Sequence, residues 1–257
     1  WRYSFFQVLA DGGISQVEEG YYQHHQSSGA IPDGQTASYG GRTFENIHSA
    51  QASARSPETA GDTSLASKYN RYGYSSIQNW LDQKDTMRNG QAYPADKPRY
   101  SGDDAPNTYF MLLGTNDLLS EGGSNVTEPH FNNVMSSMFG YSGGTFDGQS
   151  GTFDIIWKSM TDERSDAKLI VLEMPTWSPD HGNHNMATDF AYLAKFNQKL
   201  HEWADSKNSG NITIVNPNPG IVDVANTSKP GSGVPTMFID GLHPSAQGEL
   251  LMAGNIA

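Results

Sequence analysis

Residues 109–117 read YFMLLGTND and contain the clearest strand signal in the sequence. The continuous apolar run from Tyr109 to Leu113 is typical of a strand buried on both faces of a parallel sheet, and Gly114 permits a sharp turn where the strand ends. Two similar runs follow, AKLIVLEM over 167–174 and NITIV over 211–215. Stretches with helical periodicity separate the three runs. Buried strands that alternate with helices predict an α/β fold, in which helices cover both faces of a mainly parallel sheet.

The helices are predicted from apolar residues that recur at helical spacing. They are expected at residues 1–10, 75–87, 151–160, 188–206 and 245–257. Residues 14–68 contain few apolar runs and many Gly, Ser and Gln residues, so we expect a long irregular excursion there. Neither an internal repeat nor a linker divides the sequence, and residues 1–257 are therefore expected to form one domain.

The composition of the 257 residues excludes several classes of protein. There is no cysteine, which excludes a disulfide scaffold, a cysteine-ligated zinc site and a thiol nucleophile. The net charge of −12 would repel a phosphate backbone, so no nucleic-acid partner is expected. No stretch approaches the roughly 20 apolar residues that cross a bilayer, and we expect no membrane partner. The acidic, lysine-poor composition favours a secreted or extracellular protein.

Two polar motifs stand in loops of the kind where parallel-sheet proteins collect their chemistry. Gly114-Thr-Asn116-Asp117 follows the first strand, and Asp240-Gly-Leu-His243-Pro precedes the last predicted helix. Asp240 can accept the Nδ1–H of His243, which leaves Nε2 as a base toward a hydroxyl group. Taken alone, this pair would more simply form a turn and a helix cap. The Asn116 amide can donate to a developing oxyanion, and Asp117 is expected to tie down its loop by bonding local backbone N–H groups.

Together, the two motifs resemble those of the SGNH, or GDSL-type, hydrolase family. GTND matches the family's third block, G-x-N-D, and DGLHP matches its fifth block, D-x-x-H. The resemblance implies a three-layer α/β/α sandwich of the flavodoxin-like type, with strand order 2-1-3-4-5, and a serine esterase that uses neither metal nor cofactor. It assigns His243 as the base, Asp240 as the residue that orients His243, and Asn116 as an oxyanion-hole donor.

The family's second block supplies a backbone N–H to the oxyanion hole. Its counterpart here is NRYGYSS at residues 70–76, just before a predicted helix. Gly73 takes the place of the block's first glycine, whereas Ser76 stands where a second glycine is usual. Because the donor is a main-chain group, either Gly73 or Ser76 can supply it. A plain turn into the helix is the alternative.

The family's first block, Gly-Asp-Ser, carries the nucleophile and is not found in the chain. Since the opening residues look like the start of the first helix, we expect the nucleophilic serine upstream of Trp1 and a domain truncated at both ends. Two internal serines have partial motifs: Ser64 in Gly-Asp-Thr-Ser, and Ser142 in the G-x-S-x-G pattern of residues 140–144. Neither serine follows a predicted buried strand, so neither is expected to be the nucleophile.

One cluster in the loop after the second strand contains metal-ligating side chains, Asp180, His181 and His184. The His-x-x-His spacing can bind a metal ion, but a further fixed ligand is not evident. We therefore expect a substrate-loop or structural role for this cluster and assign no metal.

The expected function is the hydrolysis of short-chain, chiefly acetyl, esters on carbohydrate. The loops are rich in aromatic residues that suit a sugar-bearing substrate better than a long lipid, namely Tyr21, Tyr22, Tyr72, Tyr74 and Trp177. The expected partner is thus a small-molecule or carbohydrate ester. Two alternatives are a non-catalytic carbohydrate-binding or structural relative, and a lipase or thioesterase on the same scaffold.

Adding EDTA to the full-length protein is expected to leave ester hydrolysis unchanged, because the family's chemistry uses no metal ion. His181→Ala and His184→Ala should alter mainly KM or have little effect, whereas His243→Ala should lower kcat by orders of magnitude. Initial rates with and without the chelator test this. A loss of activity that zinc restores would instead establish a metal site at His181 and His184.

Overall fold

In the computed structural model of the chain, the described residues are 7–8, 10–12, 36–45, 55–61, 77, 105–119, 126–142, 145–146, 151–175, 186–218 and 246–256. The helices and strands within them follow one another along the chain. They are β1 (Thr36–Tyr39), β2 (Arg42–Glu45), α1 (Ser56–Ala60), β3 (Thr108–Met111), α2 (Thr115–Leu118), α3 (Glu128–Phe139), β4 (Tyr141–Ser142), β5 (Thr145–Phe146), α4 (Thr152–Glu163), β6 (Lys168–Leu172), α5 (Met186–Ser206), β7 (Ile212–Val215) and α6 (Ala246–Ile256).

The three predicted buried strands form one parallel sheet in the order β3-β6-β7. Tyr109 lies opposite Leu169, and Leu169 in turn lies opposite Ile212. Each strand is followed by a helix before the next strand begins, which is the connection that parallel pairing requires. The α/β prediction is therefore confirmed, and the carboxyl ends of β3 and β6 lie at the same edge of the sheet.

The two faces of β3 differ in burial. Tyr109 and Met111 belong to the main hydrophobic core together with Leu169 and Val171 of β6. Phe110 and Leu112 point the other way and remain 44% and 37% exposed. The expectation of a strand buried on both faces is thus wrong for β3, because only the side chains on the face of Tyr109 and Met111 belong to the main core.

Three of the predicted helices are confirmed as α4, α5 and α6, with bounds that differ by at most three residues. Of the residues predicted as helix at the start of the chain, Gln7, Val8 and Ala10 are helical, and Gly12 donates its N–H to the Val8 carbonyl at 3.0 Å. Of the segment 75–87, only Ile77 is described. In the described part of the chain, no helix is both long and apolar enough to span a bilayer.

The segment 14–68 is more regular than expected. It contains the antiparallel hairpin β1–β2, whose turn residues Gly40 and Gly41 have φ values of 58° and 75°, and it also contains the short helix α1. A two-residue turn with positive φ at both positions joins twisted strands well and favours glycine. The paired glycines were the available sequence signal for this hairpin.

The core between α3, α4 and α5 is built around aromatic side chains. The ring centroids of Phe139 and Phe153 are 5.0 Å apart, and those of Phe153 and Trp203 are 5.2 Å apart in an edge-to-face arrangement. The indole N–H of Trp203 donates to Asp154 Oδ1 at 3.0 Å, and the Gly151 N–H donates to Asp154 Oδ2 at 3.1 Å. Asp154 therefore caps α4 and satisfies the one polar atom of the buried tryptophan.

Asp154→Ala is expected to lower the free energy of unfolding by about 2 kcal/mol, because α4 loses its cap and the Trp203 indole N–H loses its acceptor. Urea denaturation at neutral pH measures the change. The matched control on the same helix is Asp162→Ala, which removes only an exposed ion pair with Lys158 and should cost under about 0.5 kcal/mol. Equal losses in the two variants would contradict this role of Asp154.

Candidate active site

The turn after β3 places the predicted oxyanion donor at the carboxyl edge of the sheet. Helix α2 is a single turn of four residues that starts directly after Gly114, and the Leu118 N–H donates to the Gly114 carbonyl at 2.9 Å. Asn116 lies in this turn and is partly exposed. Its backbone is therefore fixed close to the end of β3.

Gly114 is required at the start of this turn for two reasons. Its φ of 125° is unfavourable for residues with a side chain. A Cβ atom at this position would also lie 2.6 Å from Phe196 Cζ and 3.0 Å from Met174 Cε. The turn thus packs closely against α5 and against Met174, two residues after the end of β6.

Asp117 holds the other end of the turn. Its carboxyl group is buried and accepts three hydrogen bonds from Ser56: the backbone N–H donates to Oδ1 at 3.0 Å and to Oδ2 at 3.1 Å, and the hydroxyl donates to Oδ1 at 2.7 Å. The expectation of local backbone partners holds only for the backbone N–H of Asp117 itself, because the main partner, Ser56, lies 61 positions earlier in the chain. Burial raises the pKa of Asp117, and the Ser56 donors and the Arg55 guanidinium lower the pKa and partly offset the burial.

His130 on α3 binds the carbonyl end of the same turn. Its Nε2 lies 3.1 Å from the Asp117 carbonyl oxygen and 3.0 Å from that of Leu118. Both partners are acceptors, so the geometry requires a protonated Nε2 that donates. His130 thereby satisfies carbonyl groups that a four-residue helix leaves without internal partners.

Hydrogen bonds also hold the start of the loop after β6. The Met174 N–H donates to Asn197 Oδ1 at 2.9 Å, and Asn197 Nδ2 donates back to the Met174 carbonyl at 3.2 Å. Asn218, after β7, also donates to that carbonyl at 3.4 Å. Asn197 thus fixes the point at which the chain leaves β6, next to the contact between Met174 and Gly114.

The remaining predicted site residues lie outside the described residues. These are His243, Asp240, Gly73, Ser76, Ser64, Asp180, His181 and His184. The pairing of His243 with Asp240, and their position facing Asn116, therefore stay predictions. Where the structure is described, no three His, Asp or Glu side chains come together as metal ligands would.

Ser142 is described and does not lie on a nucleophile elbow. It belongs to β4, which pairs with β5 in a small antiparallel hairpin. The residue before β4, Gly140, ends α3 in the left-handed conformation with φ 64°. An elbow of the G-x-S-x-G type requires a strand before the serine and a helix after it, and here a helix precedes and a hairpin follows.

Sequence reasoning missed Ser56 and His130. Ser56 is far from Asp117 along the chain. Its local sequence, SPETA, is typical of any short helix and does not indicate a distant partner. His130 had a weak signal, since Thr127 and Pro129 mark the beginning of a helix and place His130 in its first turn. Its target, the carbonyl end of α2, is not visible without the fold.

Gly114→Ala is expected to cost several kcal/mol of stability or to displace the turn, because the added methyl meets Phe196 in a backbone conformation that alanine disfavours. Thermal melting and kcat together detect either outcome. Gly254→Ala is the matched control: Gly254 lies in α6 with open space around it, so the same substitution should leave activity unchanged and raise stability slightly. A Gly114→Ala protein with normal melting and normal kcat would contradict the close packing at this turn.

Solved structures with a similar fold exist. A carbohydrate esterase family 3 protein from Talaromyces cellulolyticus superposes with a TM-score of 0.55 and 16% identity, over 100% of this chain and 86% of that chain. An acetyl esterase mutant with an acetate ion superposes with a TM-score of 0.54 and 14% identity, over 98% of this chain and 84% of that chain. At these identities the likeness establishes the fold alone.

Sequence comparison gives the family. No curated protein sequence matches the chain significantly. The sequence model of the GDSL-like lipase/acylhydrolase family, however, matches residues 21–256. This range includes the G-x-N-D turn after β3 and the D-x-x-H motif before α6, the two motifs on which the resemblance was based. The chain therefore belongs to the GDSL-like lipase/acylhydrolase family, a family of carboxylic ester hydrolases.

Proposed function

We propose that the protein is a serine esterase that removes short acyl groups, above all acetyl groups, from carbohydrate. The observation that carries the proposal is the position of Asn116. It lies on a turn held by Gly114 and Asp117 at the carboxyl edge of the sheet, partly exposed. A side-chain amide held in this way can donate to the oxyanion that forms when an ester carbonyl is attacked.

The remaining roles follow from the family's motifs. The nucleophile is the serine of the family's first block, Gly-Asp-Ser. His243 accepts the serine proton and returns it to the leaving alcohol, while Asp240 holds the imidazole in the required tautomer. Asn116, together with a backbone N–H at Gly73 or Ser76, stabilises the tetrahedral oxyanion. Water activated by His243 then hydrolyses the acyl-enzyme.

Two kinds of observation support the substrate class. The sequence near the site motifs contains aromatic residues of the kind on which sugar rings pack, among them Tyr72, Tyr74 and Trp177. The two similar structures are named as a carbohydrate esterase and an acetyl esterase.

An acidic, lysine-poor protein acting on carbohydrate polymers fits a secreted or extracellular location.

The full-length gene product is expected to hydrolyse p-nitrophenyl acetate faster than p-nitrophenyl octanoate and to release acetate from acetylated oligosaccharides. Asn116→Ala should lower kcat by about 10²–10³-fold with little change in KM, because the amide acts mainly in the transition state. Steady-state kinetics measure both values. Asn132→Ala, an exposed asparagine on α3, is the matched control and should retain full activity.

Other results would indicate the alternatives. Preference for the octanoate ester would favour a lipase or thioesterase on the same scaffold. Binding of oligosaccharides without hydrolysis of any ester would identify a non-catalytic relative. Retention of kcat in Asn116→Ala would remove the observation on which the proposal rests.

A further inference from the structure

The turn that carries Asn116 is too short to hold its own conformation. Helix α2 has four residues, and isolated helices are marginal in water below about 12–15 residues. Its geometry must therefore come from contacts with the rest of the protein. Three such contacts are described: Phe196 and Met174 against Gly114, His130 on the carbonyl groups of Asp117 and Leu118, and Ser56 on the Asp117 carboxyl group.

The Ser56 contact differs from the other two because its three hydrogen bonds act on the side chain of Asp117, the residue next to Asn116. Ser56 is fully buried at 0% exposure, and Asp117 is 8% exposed. Two donors of one serine bind both carboxyl oxygens, so the Asp117 side chain can neither rotate nor shift without breaking them. Ser56 is itself the first residue of α1, and α1 packs against α3 and α4.

We propose that Ser56 is a positioning residue of the esterase: by holding the Asp117 carboxyl group it sets the direction in which the neighbouring Asn116 amide points. The inference rests on the proposed oxyanion role of Asn116. Ser56 touches no substrate atom and contributes only through Asn116.

The chemistry of an oxyanion hole makes such positioning matter. A donor must stay within about 0.5 Å and 10–20° of the productive geometry to stabilise the transition state fully. Gly114 fixes the backbone on one side of Asn116, and the Asp117–Ser56 contact fixes it on the other. Loss of the Ser56 hydroxyl leaves Oδ1 with one donor fewer and lets the turn relax, so the amide spends less time aligned with the oxyanion.

The test compares Ser56→Ala, Ser56→Cys and Ser56→Thr of the full-length protein in two backgrounds, wild type and Asn116→Ala, with p-nitrophenyl acetate as substrate. In the wild-type background, Ser56→Ala should lower kcat by roughly 10- to 100-fold with KM nearly unchanged. Ser56→Thr, which keeps the hydroxyl group, should retain most of the wild-type kcat. In the Asn116→Ala background, Ser56→Ala should change kcat by less than about twofold, because the group that Ser56 positions is gone.

Thr152→Val is the matched control. Thr152 is also a buried hydroxyl residue, on the neighbouring helix α4, and its hydroxyl has no hydrogen-bond partner among the described residues. The Thr152→Val substitution should leave kcat at the wild-type value. If Ser56→Ala does not fold, Ser56→Cys carries the test, because it preserves most of the side-chain volume and weakens the donor.

The outcomes separate this inference from the proposed function. If Asn116→Ala keeps wild-type kcat, the oxyanion role itself fails. If Asn116→Ala loses activity but Ser56→Ala and Ser56→Cys retain it, the positioning role is overturned. An equal loss of kcat from Ser56→Ala in both backgrounds would also overturn it, since Ser56 would then act on some other part of the protein.

Discussion

A carboxyl group that is removed from water must be met by hydrogen-bond donors, and at Asp117 these donors come from Ser56. The contact joins α1 to the turn after β3 across 61 positions of the chain. A buried carboxyl group without such donors is costly in free energy. A fold in which Asp117 is buried away from Ser56 would therefore be less stable. Together with the packing at Gly114 and the His130 contacts, this polar contact holds the four-residue turn in place.

Helix α5 serves the same edge of the sheet at two adjacent positions. Phe196 packs against Gly114 after β3, and Asn197 binds both backbone groups of Met174 after β6. Two neighbouring strand ends are thus controlled by consecutive residues of one helix, whose position is set by the aromatic core around Phe153 and Trp203. In this way a packed core, built without any reacting group, fixes the geometry of loops that carry chemistry.

The sequence predicted what local patterns encode. The apolar runs at 109–113, 167–174 and 211–215 marked the parallel sheet, and the G-x-N-D pattern placed Asn116 at its edge. The partner of Asp117 could not be predicted, because nothing near Ser56 in the chain indicates a contact 61 positions away. The exposure of Phe110 was likewise missed, since an apolar run does not reveal which face the helices cover. His243 and Asp240 rest on their motif and stay predictions.

If the anchored turn presents the Asn116 amide to the oxyanion, the contact should be visible in a crystal structure of the full-length protein inhibited with a short alkyl fluorophosphonate. In that complex the phosphonyl oxygen takes the place of the oxyanion. We predict that Asn116 Nδ2 lies about 2.7–3.1 Å from that oxygen, with the Asp117–Ser56 hydrogen bonds intact. A phosphonyl oxygen bound by other donors, with the Asn116 amide turned away from it, would contradict the claim.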